Sequence, residues 1–232
     1  MNRRRTVLAT LACLAPALIA ASPATAHPHV WVSVEATVIY NKGSIVGLAQ
    51  KWTFDEMYTT MAIQGLDQNG DGVYDRKELA ELAQVNIDGL TEFDYFTFPR
   101  LGDAALKIDA PKDYWLEHAN GVLSLHVTTP LAQPVLAEAQ GFSVAIYDPS
   151  YFIAFDLAEK EPVRLSAGAP SGCVATVGVP KQEADVAQQL SDAFNEQLGG
   201  PTGAASDPKT ATMGDALGLA VTKTIAVSCP RT

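Results

Sequence analysis

The sequence predicts an α+β domain that is mainly β, with an antiparallel, sandwich-like arrangement of strands. Two observations support this fold class. Short β-prone runs separated by turn residues fill most of the chain, and helical spacing is confined to a few segments. Two of these segments flank an acidic loop at residues 67–78, and a third occupies residues 181–198. We therefore expect a β domain with a helix-loop-helix inserted at 56–87 and one amphipathic helix near the C-terminus.

The N-terminal 26 residues match an export signal. Three arginines at positions 3–5 precede an apolar stretch at 7–21, and a small-residue cleavage site ends at Ala26. A membrane-spanning interpretation is less favoured, because a proline interrupts the stretch and it is shorter than the roughly 20 apolar residues that a span needs. We expect a single periplasmic domain at 27–232, exported by the general secretory or the twin-arginine route.

The mature chain is predicted to start with a β-hairpin. Apolar and polar residues alternate over 30–40, which is typical of a half-buried strand, and a second β-prone run at 45–54 follows the turn at 41–43. Helical spacing then appears at 56–66 and at 75–85, on either side of the acidic loop.

Residues 67–78 match the ligand spacing of an EF-hand calcium loop, which needs oxygen donors at positions one, three, five, seven, nine and twelve, and glycine at six. The predicted ligands are Asp67, Asn69, Asp71, the Val73 carbonyl, Asp75 and Glu78, with Gly72 at the turn. All donors are oxygen, so calcium is the expected ion, and magnesium and zinc are second choices. The alternative is a solvated acidic turn without metal. A solitary exported loop is typical of a structural or weak site, with a Kd on the order of 10⁻⁴ to 10⁻³ M.

The rest of the chain is expected to be mostly strands. The predicted β segments are 95–98, 105–108, 114–117, 122–128, 142–147, 151–157, 163–165, 173–179 and a closing strand at 220–228. The amphipathic helix at 181–198 begins after Pro180 and ends before the glycine pair at 199–200.

The cysteines indicate an oxidising compartment. Removal of the signal removes Cys13 and leaves Cys173 and Cys229, which we predict to form a disulfide. Two separate buried thiols are the alternative, because the spacing in sequence does not establish a bridging distance.

The net charge of the chain disfavours some classes of binding partner. The formal net charge is −10, and loss of the three signal arginines makes it −13, which disfavours nucleic acid and anionic membranes and favours cations. A hydrophobic content of 47% argues against disorder.

Histidines at the predicted mature start suggest a second metal site. Cleavage would make His27 the N-terminal residue, so its amine and imidazole can chelate zinc, nickel or copper, with His29 on the same strand face. His126, in a strand-like run, is the third candidate ligand. The alternative is a solvated terminus and an ordinary strand histidine.

Three stretches carry a family resemblance: His-Pro-His-Val-Trp at 27–31, Trp-Thr-Phe-Asp at 52–55 and Tyr-Asp-Pro-Ser-Tyr-Phe at 147–152. The chain resembles the periplasmic family catalogued as domain of unknown function 1007, often described as a component of an ABC-type transport system. The resemblance implies a link to nickel, cobalt or zinc transport and an inner-membrane transporter as partner. From the residues alone, Asp55 suits a helix cap and Asp148, before a proline, suits a turn.

These observations favour a non-enzymatic calcium-binding accessory protein linked to transition-metal transport. An ABC-type solute-binding protein and a calcium-stabilised protein-protein adaptor are the alternatives. The sequence lacks the alternating strands and helices of a parallel-sheet lobe, which disfavours the solute-binding protein. It also lacks a nucleophile elbow, a zinc-protease helix and a phosphate loop, which disfavours an enzyme.

Overall fold

A computed structural model describes residues 29–150, 152–179 and 223–230. The predicted signal, His27 and the predicted helix at 181–198 lie outside the described residues. The described elements, in chain order, are β1 (Val30–Asn41), β2 (Ser44–Phe54), α1 (Glu56–Ala62), α2 (Ala80–Leu90), a kinked 3₁₀ segment (Thr91–Phe96), β3 (Thr97–Leu101), β4 (Ala104–Ala105), β5 (Asp113–Ala119), β6 (Val122–Leu136), β7 (Phe142–Ile146), β8 (Ile153–Leu157), β9 (Val163–Leu165), β10 (Val174–Gly178) and β11 (Thr224–Ser228). The prediction of a mainly β chain is confirmed.

The first sheet has six strands in the order β5-β6-β2-β1-β8, with β9 also paired to β1. It is mixed, because β1 pairs antiparallel with β2 but parallel with β8 and β9. The antiparallel arrangement expected from the sequence therefore holds only in part for this sheet, because the pairings of β8 and β9 with β1 depart from it. β8 reaches β1 from β7, a strand of the other sheet, and not through a tight hairpin, so its parallel direction is allowed. The 12 residues of β1 are long enough to pair with β8 along Val30–Val34 and with β9 along Ala36–Val38.

The second sheet has five antiparallel strands in the order β10-β11-β7-β3-β4. Cys173 and Cys229 form a disulfide, consistent with the sequence prediction. The register explains the pairing, because Val174 lies opposite Ser228 and the two cysteines are the residues just outside that pair.

Both sheets contribute to one buried core. Alternate residues of β1, such as Val34 and Val38, are fully buried, as are Phe142 and Ile225 of the second sheet. A polar network joins the sheets inside this core through Gln50. Its Nε2 donates to Thr97 Oγ1 at 3.0 Å and to Thr129 Oγ1 at 3.2 Å, and Trp52 Nε1 donates to its Oε1 at 3.0 Å. The buried amide is thus satisfied on both sides, which avoids a desolvation penalty of about 1–3 kcal/mol per orphaned group.

The helices differ in length from the sequence prediction. α1 ends at Ala62, before the predicted end at residue 66, because the chain turns and Gly65 adopts φ +77°. α2 begins at Ala80 and runs to Leu90, about five residues later than predicted, since the acidic loop holds the preceding residues in turns. Among the described residues, no helix is both long and apolar enough to cross a membrane.

Candidate functional site

The acidic loop is closed by its own side chains. Asp67 Oδ1 accepts from the Gly70 amide at 2.7 Å, and its Oδ2 accepts from the Gly72 amide at 2.9 Å. Gly72 has φ +78°, a left-handed conformation that strongly favours glycine. The first carboxylate therefore organises the turn that the sequence predicted at the sixth position.

The next two predicted ligands repeat this pattern. Asn69 Oδ1 accepts from the Asp71 amide at 2.8 Å, and Asp71 Oδ1 accepts from the Val73 amide at 2.8 Å. Each side chain bonds the backbone two residues ahead, which is the Asx-turn geometry. These two side-chain oxygens are consequently bonded to amides of the loop itself.

The end of the loop is organised by Asp75 and Glu78. Asp75 Oδ1 accepts from the Lys77 amide at 2.8 Å and from the Glu78 amide at 2.9 Å. This carboxylate satisfies amides that precede the first turn of α2, as an N-cap side chain does.

Glu78 connects both ends of the loop. The residue is only 9% exposed, its Oε1 accepts from the Gln68 amide at 2.9 Å, and its Oε2 accepts from the Asp75 amide at 3.1 Å. A buried carboxylate is tolerated when it is well hydrogen-bonded. Glu78 therefore bridges Gln68 and Asp75, which are seven positions apart in sequence.

The loop oxygens bond to amides and do not converge on one point. Within residues 29–150, 152–179 and 223–230, no three His, Cys, Asp or Glu side chains are grouped as a metal would require. The donor set is nevertheless all oxygen, which fits a hard divalent cation and not a soft one.

The loop packs firmly against the first sheet. The Tyr74 ring meets the His118 ring edge-on at 4.9 Å, and the Arg76 guanidinium lies over the Trp115 ring at 4.6 Å. Leu79, next to the twelfth loop position, is completely buried. Any movement of Glu78 is therefore coupled to a core residue.

The predicted histidine ligands have other contacts. The His29 amide donates to the Phe152 carbonyl at 2.9 Å, and the two rings lie 4.9 Å apart. His126 Nε2 lies 2.9 Å from Glu117 Oε2, and its ring stacks on Trp115 at 4.6 Å.

The structure does not bring His29 and His126 together. His126 is opposite Lys51 of β2, which is opposite Glu35 of β1, and His29 precedes Glu35 by six residues. At about 3.3 Å per residue this offset alone is about 20 Å. His126 is therefore not part of an N-terminal metal site, because β2 lies between the two strands.

Asp55 has a wider role than a helix cap. Its Oδ1 accepts from the Tyr58 amide at 2.8 Å, as predicted for a cap, but its Oδ2 accepts from the Trp31 amide at 2.9 Å. It therefore ties α1 to the start of β1. Burial raises the pKa of the Tyr58 phenol, and the negative charge of Asp55 raises it further.

Asp148 holds the turn before β8. The residue is 4% exposed. Its Oδ1 accepts from the Ser150 amide and hydroxyl at 2.8 and 2.7 Å, and its Oδ2 accepts from the Phe152 and Ile153 amides at 3.1 and 2.9 Å. The Asp-Pro-Ser pattern indicated a turn. It did not indicate four bonds, because two of the donors lie beyond the turn itself.

These features define a mainly β protein whose acidic loop is closed by hydrogen bonds from its backbone amides to its own side-chain oxygens. The chain belongs to the family described as "Protein of unknown function (DUF1007)", which matches residues 12–229. The family resemblance seen in the three sequence motifs is thereby confirmed.

Two relatives are similar over part of the chain. One, from Haemophilus influenzae and described as an uncharacterized protein, is 28% identical over 142 residues, which cover 61% of this chain and 68% of the relative. The other, an uncharacterized 15.5 kDa protein in the trpE 3' region of Spirochaeta aurantia, is 32% identical over 99 residues, which cover 43% of this chain and 70% of the relative.

Proposed function

We propose that this protein is a periplasmic, non-enzymatic accessory protein that binds calcium through residues 67–78. The observation that carries the proposal is Glu78, a buried carboxylate at the twelfth loop position that already reaches both ends of the loop. In the proposed bound state it exchanges its amide partners for the cation. Asp67, Asn69, Asp71, Asp75 and the Val73 carbonyl supply the remaining oxygens.

Electrostatics favours an ion at this loop. Four carboxylates lie within twelve residues, and two like charges 4 Å apart repel by about 1 kcal/mol in water and about 4 kcal/mol at an effective dielectric of 20. A divalent cation relieves this repulsion as well as adding ligand bonds. Its role is to stabilise the connection between α1 and α2 on the first sheet.

The test is calorimetric titration of the mature, metal-stripped protein with calcium, beside Glu78→Gln and Glu81→Gln. Glu81 makes a good control because it is an exposed glutamate three residues on, outside the ligand set. We expect wild type and Glu81→Gln to bind one calcium with similar affinity, and Glu78→Gln to bind at least about tenfold more weakly. Absent binding by wild type, or equal binding by Glu78→Gln, rejects the site.

We also propose that the N-terminal histidines link the protein to transition-metal transport. The support is chemical: His27 and His29 are two imidazoles at the predicted mature terminus, and the family resemblance implies an inner-membrane metal transporter as partner. Zinc, nickel and copper titrations of wild type and of the double variant His27→Ala/His29→Ala test this. Equal binding by both proteins removes the chemical basis for this part of the proposal.

A further inference from the structure

A second candidate binding site is lined by α2 residues and contains no residue of the acidic loop. It is a cleft of about 310 Å³ between α2, the 3₁₀ segment and the strands of the first sheet. Aromatic rings dominate its lining: Trp52, Phe54, Tyr58, Phe93, Phe96 and Phe155. A volume of this size is at the lower end of the range for small-molecule sites.

The aromatic wall is preformed. Trp52 and Phe155 meet edge-on with ring centroids 5.0 Å apart, and Phe96 lies 5.3 Å from Phe155. Trp52 and Phe96 are buried, whereas Phe93 at the rim is 43% exposed. Mutual packing of the deep rings keeps the cleft from collapsing, so an apolar ligand gains contact area without reordering the wall.

Asn86 supplies an unused polar group. This α2 residue lines the cleft, and its Nδ2 is buried without a hydrogen-bond partner among the described residues. A buried amide donor left unpaired costs about 1–3 kcal/mol. A ligand oxygen in the cleft would satisfy it.

Gly89 supplies space on the same helix face, three residues after Asn86. Its φ is not in the left-handed region, and a Cβ added there meets nothing within 4 Å. No backbone requirement therefore calls for glycine at a position where it costs a helix about 0.5–1 kcal/mol relative to alanine. Because Gly89 has no side chain, the cleft stays open at this position.

The charges around the cleft exclude some ligands. The lining side chains include the Asp148 carboxylate and no Lys, Arg or His among the described residues. Asp148 already accepts four hydrogen bonds, so it adds negative potential without a free acceptor site. An anionic ligand is disfavoured, and the donor of Asn86 requires an acceptor.

We infer that this cleft binds a neutral small molecule with a flat apolar body and a carbonyl oxygen that accepts from Asn86 Nδ2. The apolar body packs on the aromatic wall, and the carbonyl faces α2. The site is separate from the acidic loop, because no residue of 67–78 lines the cleft.

The test uses two neutral fluorescent probes on the mature protein. Prodan carries a naphthalene body and a ketone, whereas N-phenyl-1-naphthylamine has the aromatic body without a carbonyl. We expect both to bind wild type saturably with blue-shifted emission. The anionic probe 1-anilinonaphthalene-8-sulfonate should bind more weakly than either.

Three variants assign the binding to the cleft. Asn86→Leu removes the donor at similar volume and should weaken prodan about three- to tenfold while leaving the carbonyl-free probe unchanged. Gly89→Leu fills the cleft and should abolish saturable binding of both probes without lowering the urea midpoint. Glu81→Leu adds the same side chain to α2 outside the lining residues and should bind like wild type.

Each contrary result overturns the inference. Absence of saturable binding to wild type rejects the site, and undiminished binding by a folded Gly89→Leu protein places the probes elsewhere. Equal weakening of both probes by Asn86→Leu rejects the proposed hydrogen bond.

Discussion

Replacing Asp148 by asparagine tests whether its carboxylate holds the approach to β8. The substitution keeps the shape of the side chain and removes its charge. The carboxylate accepts two bonds on each oxygen, from the amide and hydroxyl of Ser150 and from the amides of Phe152 and Ile153. An asparagine offers only one oxygen in place of the two.

The magnitude follows from the best orientation of the new amide. With its NH₂ at the Oδ1 position, the Ser150 hydroxyl can rotate to accept, and only the bond from the Ser150 amide is lost. Losing one charge-assisted bond costs about 1.5–3 kcal/mol, and the bonds from Phe152 and Ile153 each weaken by about 1 kcal/mol as the charge disappears. We expect Asp148→Asn to lower the free energy of unfolding by about 3.5–5 kcal/mol.

Urea unfolding, followed by tryptophan fluorescence and far-UV circular dichroism, measures this loss. Asp156→Asn is the matched control, because the Asp156 side chain is 70% exposed and its ion pair with Lys223 lies at the surface. An exposed pair contributes about 0–1 kcal/mol, so the control should shift the midpoint little. A loss of less than about 1 kcal/mol for Asp148→Asn would refute the argument that burial makes these bonds matter.

Three further predictions concern the rest of the fold. Cys173→Ser should lower the free energy of unfolding by about 4 kcal/mol, because the disulfide closes a loop with a sequence separation of 56. Dithiothreitol should destabilise the wild type by the same amount and leave the variant unchanged, and a much smaller loss of stability in the variant would contradict this estimate. Gly47→Ala should lower the free energy of unfolding by about 1–3 kcal/mol, since the added Cβ would lie 2.6 Å from the Thr129 carbonyl oxygen. The control is Gly178→Ala, whose Cβ meets nothing within 4 Å and which should change stability by no more than about 0.5 kcal/mol. Equal effects of the two substitutions would be inconsistent with the clash. Burial raises the pKa of Tyr58, so the folded state holds this proton more tightly than the unfolded chain, and stability should fall as pH rises above about 10. In thermal unfolding between pH 8 and 11.5, the melting temperature of Tyr58→Phe should fall less steeply with pH than that of the wild type. Parallel curves would count against Tyr58 as the origin of the pH dependence.

The first hairpin was predictable because its signal is local. Alternating residues predicted a strand at 30–40 and a partner at 45–54, and the structure has β1 at Val30–Asn41 and β2 at Ser44–Phe54. Period-two alternation specifies which side chains face the core, so it also specifies the register of neighbouring strands. The same local logic located the cap at Asp55.

Non-local choices were not predictable in this way. The strand predicted at 95–98 begins only at Thr97, because Asp94, Tyr95 and Phe96 adopt positive φ in the kinked 3₁₀ segment. Tyr95 and Phe96 are buried there, so tertiary packing outweighs their β propensity. The parallel pairing of β8 with β1 likewise depends on a partner more than 100 residues away.

The two candidate sites differ in the same way, because one has a local sequence signal and the other does not. Spacing alone predicted the loop ligands from Asp67 to Glu78, since every donor lies within one short segment. The cleft gave no such signal, because Trp52, Asn86 and Phe155 come from three separate elements. Only an isolated helix glycine, Gly89, marks it in the sequence, and that pattern alone does not specify a ligand.

α2 connects the two proposed sites. Glu78 lies two residues before the helix, Leu79 anchors it in the core, and Asn86 and Gly89 line the cleft two turns further on. A cation that draws Glu78 away from the Gln68 amide acts on the start of this helix, and a ligand in the cleft acts on its end. If either event shifts the helix, the two binding free energies are coupled, and linkage requires the effect of calcium on the ligand to equal that of the ligand on calcium. Titrating each ligand in the presence of the other therefore distinguishes a rigid scaffold, with no coupling, from a helix that transmits occupancy between the loop and the cleft.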